Sequence, residues 1–282
     1  MSQHLHLFDA LAWQLSRRLP GVRTGQHAGR MRGTGEEFAD IAPLLAHPDP
    51  RRLDLRRAIT DPFGTLYVRR FQTRTDLRLH LCLDASASLG VVAGADRLGL
   101  ARLLMAGFAQ AARRGRDLFS LTVCAGDRVL HEQVPTRRDL ATELLELPLQ
   151  PSGRGAAALM AQDLPQDRIL VVLISDFELA TDELALLLAA LRPRPVLPIW
   201  LRDSGLETPP ARLGLAQVLD PETGRGRTVL TSRAWAEAQS RAARARHKTL
   251  LRVFAEYGLA PVQITDSIDV ADLAAALAEA PL

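Results

Sequence analysis

Leu77-Arg-Leu-His-Leu-Cys-Leu-Asp84-Ala-Ser86-Ala-Ser88 is the stretch that decides the fold. An apolar strand runs straight into Asp-x-Ser-x-Ser. One carboxylate and two hydroxyls then share a tight loop at the carboxyl end of the strand. Hard oxygen ligands this close together suit a small hard cation such as Mg²⁺, with Mn²⁺ as a substitute. Open parallel sheets gather their ligands at this end of the strands. The stretch predicts a metal-centred docking site, and binding rather than catalysis.

From residue 76 onward, strands and helices alternate, the signature of a parallel sheet with helices on its faces. Strands are expected over 77–83, 118–124, 128–134, 168–176, 195–202 and 262–265. Ala125-Gly-Asp127 reads as the turn of a hairpin between the second and third of these. Helices are expected over 95–114, 137–146, 155–162, 181–191, 233–257 and 269–279. The run Arg168-Ile-Leu-Val-Val-Leu-Ile-Ser-Asp176 is apolar without alternation, as in a central strand buried on both faces. Residues 203–232 are polar and rich in Pro and Gly, and read as an excursion with short strands near 217–219 and 227–230. The expected fold is therefore a three-layer α/β domain over 76–282, with a mostly parallel central sheet and helices on both faces. Residues 1–75 form an N-terminal extension. Within it, helices are expected over 5–20 and 36–46, a loop over 21–35, a charged segment over 51–60 and a strand over 65–71.

Composition narrows the function. The 282 residues are 47% hydrophobic and 24% charged, enough for a substantial core and unlike a disordered chain. A net charge of +3 makes no general case for nucleic acid or an anionic membrane. Of 35 basic residues, Lys248 is the one lysine and 34 are arginine, which reads as coding bias. Cys82 and Cys124 lie in apolar strand-like runs, as buried thiols in a reducing compartment do, and offer neither a zinc quartet nor a disulfide framework. The first residues lack the pattern of a signal peptide. No apolar run reaches the about 18 residues of a membrane span. A cytoplasmic location is expected.

Asp176 is the second carboxylate of interest, at the end of the central strand in Ile174-Ser-Asp-Phe-Glu178. Neighbouring parallel strands end together, so Asp84 and Asp176 can approach one metal from two loops. Mg²⁺ keeps several waters and tolerates few protein ligands, leaving a position for a partner's carboxylate. The plainer alternative is that both aspartates cap turns and helices. Their matching positions in the alternating pattern favour the metal site.

These features resemble the metal-ion-dependent adhesion site of von Willebrand factor A domains. More narrowly, the chain resembles the bacterial domain-of-unknown-function 58 family. That resemblance rests on Gly33-Thr-Gly35-Glu-Glu37-Phe38, Arg51-Arg-Leu-Asp54-Leu55, Tyr67-Val-Arg69-Arg-Phe71 and Asp220-Pro-Glu-Thr-Gly224, in the family's order over about residues 25–282. It implies a von Willebrand factor A-like fold, metal ligands at Asp84, Ser86, Ser88 and Asp176, and an adaptor role beside a MoxR-type AAA+ ATPase in protein maturation or remodelling. Two positions depart from the family. Leu55 stands where Trp is usual. The loop that usually carries Gly-Gly-Thr reads Pro151-Ser152-Gly153-Arg154-Gly155-Ala156 and has no Thr. Ser152 offers a replacement hydroxyl, and Arg154 offers a guanidinium in place of the cation. The sequence leaves both open.

Other functions fit less well. A metal-dependent phosphohydrolase of the Asp-x-Asp type needs a second acid where Ser86 stands, and serine is a poor general acid. Lys248 lacks the glycines of a nucleotide-binding P-loop, and no Gly-x-Ser-x-Gly elbow is present. Arginine clusters at 17–32, 51–57 and 69–78 suggest nucleic acid, but acids are interspersed and aromatics make up only 5%. His80, alternating with apolar residues, reads as a packed histidine, and Trp13, Trp200 and Trp235 as core or interface anchors.

Overall fold

The computed structural model describes residues 27–46, 48–75, 78–155, 157–162, 164 and 169–279. The helix expected over 5–20 and Trp13 lie outside them. The extension opens with strand β1 (His27–Pro43), where a loop and then a helix were expected. A short helix α1 (Leu55–Thr60) follows, then β2 (Tyr67–Thr75). β1 pairs antiparallel with β2 through three register shifts. The apolar spacing that suggested a helix over 36–46 loses to this pairing. Leu45, inside the span expected to be helical, is 98% exposed beyond the strand. Two of the motifs meet here. The Asp54 carboxylate caps α1 by accepting from Arg57 N at 3.2 Å, and also accepts from Arg69 Nε at 2.9 Å.

The main body begins with β3 (Arg78–Asp84), then α2 (Arg97–Gly115), β4 (Leu118–Ala125) and β5 (Arg128–Thr136). Next come α3 (Ala141–Leu145), α4 (Ala157–Met160), β6 (Ile169–Ser175), α5 (Thr181–Leu191) and β7 (Val196–Arg202). A short α6 (Ser204–Glu207) leads to the hairpin β8 (Gly214–Leu219) and β9 (Gly226–Thr231). The chain then runs through α7 (Arg233–Glu256), β10 (Val262–Thr265) and α8 (Val270–Glu279). The Asp96 carboxylate caps α2 by accepting from Gly99 N at 2.8 Å, and Ser232 caps α7 through Trp235 N at 3.2 Å.

Six strands form one sheet in the order β10-β7-β6-β3-β4-β5. Every pairing is parallel except β4 with β5, the expected hairpin. The chain moves outward from β3 to β5, returns to the other side of β3 as β6, and continues to β10. Right-handed crossovers then put the helices of the two directions on opposite faces. The core divides accordingly. Leu79, Leu81, Leu83, Leu170, Val172 and Ile174 face α2, while Cys82, Val171 and Leu173 face α5 and α7. β6 is buried at every position, as its unbroken apolar run requires. The result is the expected three-layer α/β architecture. Its topological switch point falls between β3 and β6, where open α/β sheets bind ligands. Asp84 ends one of these strands and Asp176 follows the other. Among the described residues, no helix is long and apolar enough to cross a membrane.

Candidate functional site

The switch point brings together all four expected ligands. Asp84 and Ser86 are each 1% exposed, Asp176 3% and Ser88 6%. β3 and β6 pair in register from Arg78 with Ile169 to Leu83 with Ile174, which sets their ends level. Asp84 Oδ1 accepts from Ser86 N at 3.1 Å and Oδ2 from Ser175 Oγ at 2.9 Å. The Ser86 and Ser88 hydroxyls lie 3.0 Å apart. Burial, reinforced by the negative charge of Asp176, pushes the Asp84 carboxyl up to about 7.

A guanidinium does stand beside the carboxylates, and it is Arg97's. From the first turn of α2, Arg97 Nη1 donates to Asp176 Oδ2 at 2.9 Å, and Nη2 donates to the carbonyls of Ser88 and Val91. Its side chain is 4% exposed, and its buried Nε has no hydrogen-bond partner. Arg154 lies outside this contact. Its side chain is 76% exposed, and its Nε meets Glu222 Oε2 at 3.2 Å. Arg97 neutralises Asp176 and ties it to the Ser88 loop. Asp84 makes no ion pair among the described residues.

The loop at 151–155 reaches the site through its backbone. Ser152 N donates to the Ala85 carbonyl at 3.1 Å, and Ala87 N to the Gly153 carbonyl at 3.0 Å. Gly155 makes the close approach to Asp84, since a Cβ there would lie 3.2 Å from Asp84 Oδ2. The same Cβ would fall 1.9 Å from Leu179 Cδ2. Leu179 fills the space that a side chain at 155 would need.

Further residues hold the site, and sequence reasoning passed over them. Ser175 donates to Asp84 and accepts from Phe177 N at 2.8 Å, linking the two strand ends. Phe177 adopts φ +50, unusual for an aromatic residue. Its fully buried ring meets Phe254 at 5.1 Å and Trp200 at 6.2 Å, both edge-on, and this packing fixes the turn after Asp176. Arg246 Nη2 donates to the carbonyls of Phe177 and Leu179 at 2.6 and 2.9 Å. Asp203, at the end of β7, accepts from the amides of Ala93, Gly94 and Ala95 and so anchors the segment between Ser88 and α2. His80 is packed as expected. It lies 2.8 Å from Ser120 Oγ, and burial lowers it to about 4.

The donors suit a hard cation on the Asp84 side. Asp84, Ser86 and Ser88 are oxygen donors, and the buried carboxylate lacks a basic partner. Mg²⁺ would be held there by these three with Asp176 nearby, and would supply an electrophilic position for a carboxylate. The Thr usual in such sites has no counterpart, because Gly155 brings no hydroxyl and Leu179 occupies its space. Among the described residues, no group of three or more His, Cys, Asp or Glu side chains is placed to hold a metal ion.

Strand order and pairing define a three-layer α/β domain with a mostly parallel six-stranded sheet. The chain belongs to the family of the uncharacterized protein of the moxR 3′ region of Paracoccus denitrificans. The two are 66% identical over 105 residues, which is 37% of this chain and 100% of that relative. No family model matches the chain. A crystal structure of conserved hypothetical protein BatB from Bacteroides thetaiotaomicron aligns with 17% identity over 71% of this chain and 95% of that one, at a TM-score of 0.41. An aerotolerance-related membrane protein from Bacteroides fragilis aligns with 12% identity over 71% and 96%, at a TM-score of 0.35. Likenesses this distant add nothing to the strand order.

Proposed function

We propose that this protein is a non-catalytic interaction module of the domain-of-unknown-function 58 kind. It docks an acidic group of a protein partner at a modified metal-ion-dependent adhesion site. The observation that carries the reading is Asp84, a buried carboxylate without a basic partner, beside two serine hydroxyls at the switch point. Such a group binds a cation, and the cation binds the partner's carboxylate. Among the described residues, no histidine is hydrogen-bonded to Ser86 or Ser88. The Ser86 and Ser88 hydroxyls instead bond one another at 3.0 Å. A MoxR-type AAA+ ATPase is the partner that fits the moxR-region relative, with action in the cytoplasm on protein maturation or remodelling.

The test is calorimetry with Mg²⁺ and Mn²⁺, followed by titration with purified MoxR of Paracoccus denitrificans, on wild type and Asp84→Ala. Metal binding and partner binding should both be lost in the variant while its circular dichroism is unchanged. Equal MoxR affinity in the two proteins removes the site from the mechanism.

A further inference from the structure

The Asp220-Pro-Glu-Thr-Gly224 motif forms the tip of the β8–β9 hairpin, and its geometry serves one side chain. Asp220 Oδ1 accepts from the amides of Glu222 and Thr223 at 2.9 and 3.3 Å, and Oδ2 from Thr223 Oγ1 at 2.7 Å. Gly224 N closes the turn onto the Asp220 carbonyl at 2.8 Å, with φ +68 at the glycine. The tip is thus tied together by its own hydrogen bonds. Its residues are exposed except Glu222, whose side chain is 14% exposed. Glu222 turns inward toward a cavity of about 320 Å³, where Asp220, Pro221 and Glu222 face Ser88, Arg97 and Glu178. Arg154, from the loop that touches Asp84, holds the carboxylate at 3.2 Å.

A surface hairpin has no structural need to bring an acid there. Burial and the charges of Asp220 and Asp176 make the position unfavourable for a carboxylate, and the Arg154 contact offsets this only in part. The side chain has the same chemistry as the group that the site is read to accept.

We propose that Glu222 is a resident acid, held by the hairpin and Arg154 at the mouth of the Ser88–Arg97 side, and that a partner's carboxylate enters by displacing it. This rests on the docking function above. The hairpin is an autoinhibitory strap, and its tip keeps the acid in place until a partner competes.

The experiment measures MoxR affinity by fluorescence anisotropy for wild type, Glu222→Ala, Arg154→Ala, Asp84→Ala and the double variant Asp84→Ala/Glu222→Ala. Glu222→Ala removes the competitor and Arg154→Ala releases it. Both should bind about fivefold more tightly than wild type, the scale of one partly exposed ion pair. The double variant should bind no better than Asp84→Ala. Arg154 is at the surface and Glu222 lines an open cavity, and Asp220 closes the turn through backbone amides and Thr223 without either side chain. Equal affinity of wild type and Glu222→Ala, including no binding by either, overturns the proposal. Weaker binding by Glu222→Ala also overturns it, because the tip would then be part of the docking surface. Loss of binding in Asp84→Ala with no gain in Glu222→Ala sinks the strap alone. Unchanged binding in Asp84→Ala sinks the docking site with it.

Discussion

Replacing Asp84 by Asn should make this protein more stable at alkaline pH, although Asp84 lies at the centre of its site. An Asp84 carboxyl that titrates at 3.8 in the unfolded chain and at about 7 in the fold binds its proton more tightly when folded. Its contribution to stability is therefore greatest below pH 3.8, falls as pH rises toward 7, and stays at its minimum above. At about 1.4 kcal/mol per pH unit, the loss across that window is about 4 kcal/mol. Asn carries no charge; its Oδ1 keeps the acceptor for Ser86 N, while its amide nitrogen takes the place of the oxygen that faced Ser175 Oγ, so that hydroxyl must turn to accept, at a cost of about 1 kcal/mol. The variant should thus exceed wild type by roughly 3 kcal/mol at pH 8, and match it or fall slightly below near pH 4. The assay is urea unfolding in EDTA at several pH values. His80 titrates in the opposite sense, since its lowered value removes stability as pH falls from 6.5 toward about 4. The difference between variant and wild type is therefore the readout, because His80 cancels in it. Adding Mg²⁺ at pH 8 should then raise wild type by ligand linkage and leave the variant unmoved. A wild type as stable as Asp84→Asn at pH 8 in EDTA would mean that Asp84 is neutralised by something other than a proton or a cation.

Arg97→Met keeps the volume of the side chain but leaves Asp176 buried without its guanidinium. Loss of one partner of a buried pair costs about 3–5 kcal/mol, which urea unfolding at pH 8 would read directly. A loss below about 1 kcal/mol would mean that Asp176 is not held by Arg97. Gly153→Ala puts a Cβ at φ +65 and 2.9 Å from Gly126 Cα. It should cost about 1–3 kcal/mol and lower the midpoint of a thermal melt. An unchanged midpoint would mean that the loop does not lie across the β4–β5 turn.

The fold was legible because its signals were local and redundant. A strand buried on both faces needs an unbroken apolar run, and Ile169–Ser175 has one. The β4–β5 hairpin needs a tight turn, and Gly126 takes the positive φ there. The meeting of Asp84 and Asp176 was legible because strand ends in a parallel sheet are level, so an acid after each of two neighbours must approach the other. β1 was not legible. Phe38, Ile41 and Leu44 fit a helical spacing as well as an irregular strand, and only pairing with β2 decides between them. Arg97 was hidden for another reason. In a chain with 34 arginines, nothing local marks the one that turns back from α2 to Asp176. Its role depends on the Ser88 loop that Asp203 anchors, 106 residues further along the chain in sequence.

Charge and space together account for a 151–155 loop without a threonine. Two buried carboxylates without a cation would repel each other, and a metal with a full ligand set is one solution. Here the acids are treated separately. Arg97 neutralises Asp176 with a fixed charge that cannot dissociate, so that half of the site persists without metal. Leu179 fills the space beside Gly155, so the loop adds packing where it would otherwise add a hydroxyl. Asp84 alone is left for an exchangeable cation, with Ser86 and Ser88 beside it. A cation there would be held more weakly than at a complete site, since this one offers fewer ligands and less negative charge. Occupancy then depends on whatever supplies the next oxygen. A partner's carboxylate would do so and would raise metal affinity by the same factor as metal raises partner affinity. Calorimetry with Mg²⁺ should therefore give a weak isotherm for the protein alone and a stronger one with MoxR present, while Asp84→Ala gives neither.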